Sequence, residues 1–124
     1  MTDTKFDFPK GMKGSETKVA IYVPSTKNIN DKISEKQFKK RIKEVVSFLR
    51  TKLGGTTRIA GIGDYYSSEL KRPVAERIAK IESYTNKKDY YAVDQDIKKF
   101  LETKKKSWSQ ESIAYNYMGE MFFV

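Results

Sequence analysis

Ser34 and Gly54 bracket the segment that most restricts how this chain can fold. Ser34 with Gln37 has the spacing of a capping box, in which two side chains satisfy backbone amides left free at a helix start. Phe38, Ile42, Val45, Leu49 and Leu53 follow at helical intervals, and Gly54 suits the position just past a helix end. The spacing predicts an amphipathic helix with its Lys and Arg toward water. Before it, "KVAIYVP" (18–24) is a β-branched and aromatic run closed by Pro, read as a strand, and "STKNINDK" is a loop.

After the helix, "TTRIAGIGDYY" (56–66) reads as a strand, "SSELKRP" (67–73) as a turn or loop, and "VAERIAKIESY" (74–84) as an antiparallel partner. Ile78 and Ile81 fall on opposite faces of that partner, so either both faces are partly buried or a bulge intervenes. Asn86 with Asp89 begins a second helix along the stripe Tyr90, Val93, Ile97, Phe100, Leu101, Lys104 and Trp108. "SIAYNYMGEMFFV" (112–124) is a last strand that folds at Met118, Gly119 and Glu120 into a short hairpin. The order β-α-β-β-α-β closes most simply as an α+β, ferredoxin-like antiparallel sheet with two helices on one face. The other face is then bare, which predicts a homodimer or higher homo-oligomer.

The 124 residues suit one domain. Residues 1–17 read as a flexible arm carrying Phe6, Phe8 and Met12, and 18–124 as a single α+β ligand-binding domain. The chain has no Cys and no His, which excludes thiolate zinc sites, disulfides, cysteine nucleophiles and histidine bases. Asp64, Glu69, Glu76, Glu82 and Glu111, with Tyr65, Tyr84 and Lys80, remain for acid–base work or magnesium, but no spacing among them demands either. The reading is a protein that is not an enzyme, with no metal and no cofactor. Nothing resembles a leader or a membrane span, so a cytoplasmic setting is expected.

Gly54 and Gly55 belong to the helix end, whereas Gly61 and Gly63 interrupt a strand and mark a bulge or a close approach to the backbone. Arg58, Arg72 and Arg77, three of the five arginines, fall in the same hairpin. The formal charge of +9 favours anions, Arg pairs phosphate through two parallel bonds, and tyrosines stack on bases. The candidate ligand site is therefore Arg58, Gly63, Tyr65, Arg72, Arg77 and Tyr84, with a diphosphate along the bare strand and adenine on Tyr65 or Tyr84. The element order is also that of an RNA-recognition domain, so a basic nucleic-acid-binding protein is the alternative. "VAERIAKIES" carries no aromatic residue on which a base would stack.

The segments "IYVPSTKN", "LGGTT", "GIGDYYSSELKRPVAERI" and "QESIAYNYMGEMFFV" resemble the first-described family of phage Thoeris anti-defence proteins over residues 19–124. The matching positions are Gly54, Gly55 and Thr57, then Gly63 and Tyr65, then Gln110 and Glu111. The resemblance implies a phage or prophage sponge that binds a cyclic ADP-ribose isomer in the bacterial host cell without cleaving it. It also implies a homo-oligomer with pockets at subunit junctions, some members taking up cyclic oligonucleotides as well.

Overall fold

A computed structural model describes residues 14–124. Its elements are β1 (Thr17–Pro24), β2 (Thr26–Lys27), β3 (Asp31–Lys32), α1 (Glu35–Leu53), β4 (Thr57–Ser67), β5 (Arg72–Thr85), α2 (Lys87–Tyr91), α3 (Asp94–Ser107), β6 (Ala114–Tyr117) and β7 (Glu120–Phe123). Five strands form one antiparallel sheet in the order β4-β5-β1-β6-β7, and β2 and β3 pair separately. This is the ferredoxin-like arrangement expected from the element order, with β7 added at one edge. Phe6, Phe8 and Met12 lie outside the described residues. The start of the expected domain at residue 18 falls one residue inside β1.

Helix α1 begins as its sequence requires. The Ser34 hydroxyl accepts from the Gln37 amide at 3.1 Å and the Gln37 side chain accepts from the Ser34 amide at 3.2 Å. Gly54 ends it at φ 100°, a conformation that costs other residues more. The second helix differs from the single stripe expected. Asn86 caps the Asp89 amide, but the chain breaks at Ala92–Val93 into α2 and α3, and Val93 makes no side-chain cap bond. At the C-terminal hairpin, Met118 (φ 53°) and Gly119 (φ 89°) both take positive φ, which suits the tight turn between twisted strands.

The core lies between sheet and helices. Ile21 and Ile81 face each other across β1 and β5 at 0% exposure, packed with Val45, Leu49, Ile97 and Leu101 from the helices. Pairing of β4 with β5 runs without interruption from Thr57↔Glu82 to Ser67↔Arg72, so there is no bulge. Ile81 enters the core while Ile78, three residues earlier, lies on the opposite face; both faces of β5 are thus partly covered. On that open face Glu82 is buried between Lys80 at 2.9 Å and Lys18 at 3.3 Å. Among the described residues no helix is long and apolar enough to cross a membrane.

The bond to Lys80, then those to Lys18, hold the Glu82 carboxyl below the usual carboxylate range. A group whose folded pKa is depressed stabilises above its ordinary pKa and loses that contribution as pH falls through the depressed value. Glu82→Gln is therefore expected to melt below the parent at pH 7, with the gap closing between about pH 5 and pH 3. Thermal melts across that range check it; a gap independent of pH would remove Glu82 as its source.

Candidate functional site

Strand β5 pairs with β1 only from Ile78 to Thr85, so the outer half of the β4–β5 hairpin runs on without a third strand. The segment after β1 props this overhang. The Thr26 hydroxyl donates to the Glu76 carboxylate at 2.7 Å, and the Tyr65 hydroxyl donates to the Ile29 carbonyl at 3.1 Å. Gln110, entering β6, donates to the Thr26 carbonyl at 2.6 Å and to the Trp108 carbonyl at 3.0 Å. Between overhang, prop and the β6–β7 end of the sheet lies a cleft of about 830 Å³. That volume is within the usual range for a small-molecule site.

Gly63 and Ile78 form part of the cleft's lining, with Tyr22 and Pro24 from β1 and Met121 and Phe123 from β7. Neither Gly61 nor Gly63 takes positive φ, and a Cβ at Gly63 would stand 3.6 Å from Ile78 Cγ2, an ordinary contact. Their role is space beside Ile78 and Glu76 rather than an unusual backbone angle. Glu69, Glu76 and Glu111 border the cleft together with Tyr22 and Tyr65, and among the described residues no Lys or Arg lines it; Asp64 and Tyr66 also edge it but alternate to the helix side of β4. Burial, then the negative charges of Glu76 and Glu111, raise the Tyr65 phenol above its ordinary pKa, so it stays a neutral donor. The cleft is thus acidic in a chain of net charge +9.

The six residues expected to form one site are divided. Gly63 and Tyr65 line the cleft. Arg58 and Arg77 lie on the helix side of the sheet, in a groove against α1 with Lys39, Lys43 and Arg50. Arg77 is already engaged there, pairing with Glu35 through two bonds at 2.9 and 2.6 Å and lying 4.6 Å from the centre of the Phe38 ring. Arg72 is exposed at the hairpin turn opposite Ser67, and Tyr84 is exposed at the far end of β5 beside Lys18. Alternation puts Arg58 and Arg77 behind the sheet, since strand residues an odd number apart face opposite sides, whereas Arg72 and Tyr84 share the open face but lie at opposite ends of β5. Sequence reasoning did not choose Thr26, Glu76 or Gln110 as ligand residues, although Glu76 and Glu111 stood among the carboxylates considered for chemistry. Even spacing from Gly63's partner along β5 puts Glu76, Ile78 and Glu82 on one face and was the available signal. Among the described residues no group of carboxylates is arranged to hold a metal ion.

No family model matches the chain and no curated protein matches it, so the resemblance to the Thoeris anti-defence family rests on the quoted motifs alone. Solved structures do match. A phage SAM lyase in complex with S-methyl-5'-thioadenosine superposes with a TM-score of 0.63 at 12% identity, covering 95% of both chains. A phage SAM lyase in the apo state superposes with a TM-score of 0.61 at 16% identity, also covering 95% of both chains. These neighbours are enzymes, and they correct the expectation of a protein that is not an enzyme. That expectation rested on the missing His and Cys, an absence that leaves carboxylates, Tyr and Lys as possible acids and bases.

The two halves of the divided site make opposite predictions. Glu76→Gln is expected to weaken retention of a hydroxyl- or ammonium-bearing ligand in the cleft by about tenfold or more, since it removes a charge-assisted acceptor. Arg58→Ala and Arg77→Ala are expected to leave that affinity within about twofold, because both side chains are behind the sheet. Gly63→Ala should fold as the parent does, and Gly63→Leu should fold but block the cleft. Calorimetric titration with parallel melting curves checks all five; an Arg77→Ala protein that loses the ligand would place the site in the α1 groove.

Proposed function

We propose that this chain is a phage enzyme that binds S-adenosylmethionine in the open-face cleft and cleaves it to S-methyl-5'-thioadenosine. The observation that carries the reading is the charge of the cleft: Glu69, Glu76 and Glu111 with Tyr22 and Tyr65 and, among the described residues, no cation lining it, beneath an overhang with room for a nucleoside. S-Adenosylmethionine has a sulfonium and an ammonium against one carboxylate, so it is attracted where a diphosphate is repelled. The neighbours' fold and the thioadenosine bound by one of them support the same chemistry. A cyclic ADP-ribose isomer, the ligand implied by the family resemblance, shares the adenosine but brings two phosphates to an acidic wall. Consumption of S-adenosylmethionine would deprive methyl-transferring and signalling systems of the host of their substrate. The anti-defence setting is thereby retained, with turnover in place of capture.

The reaction balances without an acid or a base. The substrate's own carboxylate oxygen attacks its γ-carbon, the carbon–sulfur bond breaks with its electron pair going to sulfur, and thioadenosine leaves beside a five-membered homoserine lactone. The net charge of +1 stays on the lactone's ammonium throughout. Holding the carboxylate over the γ-carbon is the main catalytic task, because a well-oriented internal nucleophile gains several powers of ten over a free one. Attack neutralises sulfonium and carboxylate together, so a site that displaces water favours the transition state over the ground state. Glu76 and Glu111 therefore serve best at the ammonium and the ribose hydroxyls, where charge does not change, leaving the Tyr22, Ile78 and Phe123 surfaces to enclose the reacting carbons. The bare sheet face, with Ile59, Tyr84, Met121 and Phe123 exposed, supports assembly of copies across it; native mass spectrometry is expected to give a homo-oligomer, and a monomer at all concentrations would remove that part.

Incubating the purified protein with S-adenosylmethionine is expected to yield thioadenosine and homoserine lactone in equal amounts by mass spectrometry, with Glu76→Gln markedly slower. S-Adenosylmethionine left intact, together with cyclic ADP-ribose isomers bound and returned unchanged after denaturation, would overturn the reading.

A further inference from the structure

Arg41 projects from α1 into the protein at 6% exposure, and no carboxylate pairs with it among the described residues. Its Nη1 donates to the carbonyls of Pro24 and Thr26, both at 2.8 Å, and its Nη2 to the carbonyl of Trp108 at 3.2 Å. The guanidinium also lies 5.2 Å from the centre of the Trp108 ring. A buried cation held only by neutral carbonyls is an expensive way to fill a core, since its desolvation is not repaid by an opposite charge. Burial accordingly lowers its pKa, with Glu76 and Glu44 as the negative charges acting against that.

The three carbonyls belong to two segments that both reach the cleft: residues 24–26 lead out of β1, and residues 108–110 lead out of α3 toward β6. Thr26 joins them. Its carbonyl accepts from Arg41 and from Gln110, while its hydroxyl donates to Glu76. We propose that Arg41 is a positioning residue for the cleft: it clamps the two wall segments together and, through Thr26, fixes the Glu76 carboxylate in the orientation that receives the ligand. The planar fork is what the task requires, because three acceptors on two segments must be met at once. The proposal deepens the reading of the cleft as an S-adenosylmethionine site and rests on it.

A merely structural residue would lower stability and leave the coupling to Glu76 unchanged. The test is a cycle of Arg41→Lys, Arg41→Met, Glu76→Gln and the two double variants. Thioadenosine affinity, kcat and KM for S-adenosylmethionine are measured for each, well below its melting temperature. Arg41→Met is expected to lose about tenfold to a hundredfold in kcat/KM, as displacement of a positioned group typically does, with Arg41→Lys regaining part. In the Glu76→Gln background the same Arg41→Met change is expected to cost less than about twofold, because the group it positions is gone. Losses that multiply in full, or an Arg41→Met protein with parental kinetics, would overturn the proposal. If Arg41→Met does not fold, Arg41→Lys against Thr26→Val supplies the same cycle. A parent that neither binds thioadenosine nor consumes S-adenosylmethionine would defeat the reading of the cleft instead. In that event the carbon-13 resonance of the Glu76 carboxyl decides Arg41's part: it is expected to shift in Arg41→Lys, and an unmoved resonance would overturn the positioning role.

Discussion

The overhang of the β4–β5 hairpin is the constraint on which the rest of the site depends. Fourteen residues of β5 meet only eight of β1, so the outer hairpin has backbone pairing on one side and no sheet neighbour on the other. A two-stranded ribbon in water is marginal without a packed face. The chain supports it with hydrogen bonds from the Thr26–Ile29 segment, and it is this support, set off from the ribbon rather than packed flat against it, that leaves a cleft. Val74 and Ser67 are the buried positions near the ribbon's end, while its open face carries Gly61, Gly63, Tyr65 and Glu76 and its helix side Ile62, Tyr66 and Arg77. A shorter hairpin would end level with β1 at Pro24 and enclose nothing.

Charge is segregated across the sheet to match. Helices α1, α2 and α3 hold 14 Lys and Arg against 6 Asp and Glu, which places eight of the net nine positive charges on the covered side. The open-face cleft is acidic in spite of them. The overall charge of the chain is thus opposite in sign to that of the cleft, and contacts within a partly enclosed site act at short range and low effective dielectric, whereas the helix layer's field is screened beyond about 8–10 Å in ordinary salt. The whole chain's field attracts anions, whereas the lining of the cleft favours a cation.

Much of the fold was legible because it rests on local rules. The Ser34–Gln37 box, Gly54, the Asn86 cap and the positive-φ turn at Met118–Gly119 each express short-range geometry, and each stands where the sequence put it. The break at Ala92–Val93 was not legible, because Tyr90 to Trp108 keep their apolar spacing across it, and the contacts of Tyr90 with Tyr115 and Tyr117 that anchor α2 come from a strand far along the chain. Of the candidate site, Gly63 and Tyr65, chosen from the Gly-rich strand and its tyrosines, line the cleft, but Arg58 and Arg77 were grouped with them by nearness in sequence, and nearness in a strand says nothing until the face is known. Thr26 and Gln110 are 84 residues apart, and no local pattern relates them. Arg41 read as one more cation on a solvated helix face, when it is the one that turns inward.

The Asn28–Ile29 turn shows how far the cleft depends on these distant bonds. Ile29 takes φ 74° and Asn28 φ 48°, and a β-branched residue in the left-handed region costs about 1–2 kcal/mol relative to its ordinary conformations. The two-residue strands β2 and β3 are too short to hold such a turn by their own pairing. It is fixed from outside instead: the Asn28 amide donates to the Ser109 carbonyl at 3.0 Å, the Tyr65 hydroxyl donates to the Ile29 carbonyl, and Arg41 and Gln110 hold Thr26 just before it. Strain of this kind persists only where the surroundings over-determine the conformation. Here those surroundings are the α3–β6 connection, the hairpin overhang and α1, so the wall that presents Thr26 to Glu76 is stable only while all three are docked.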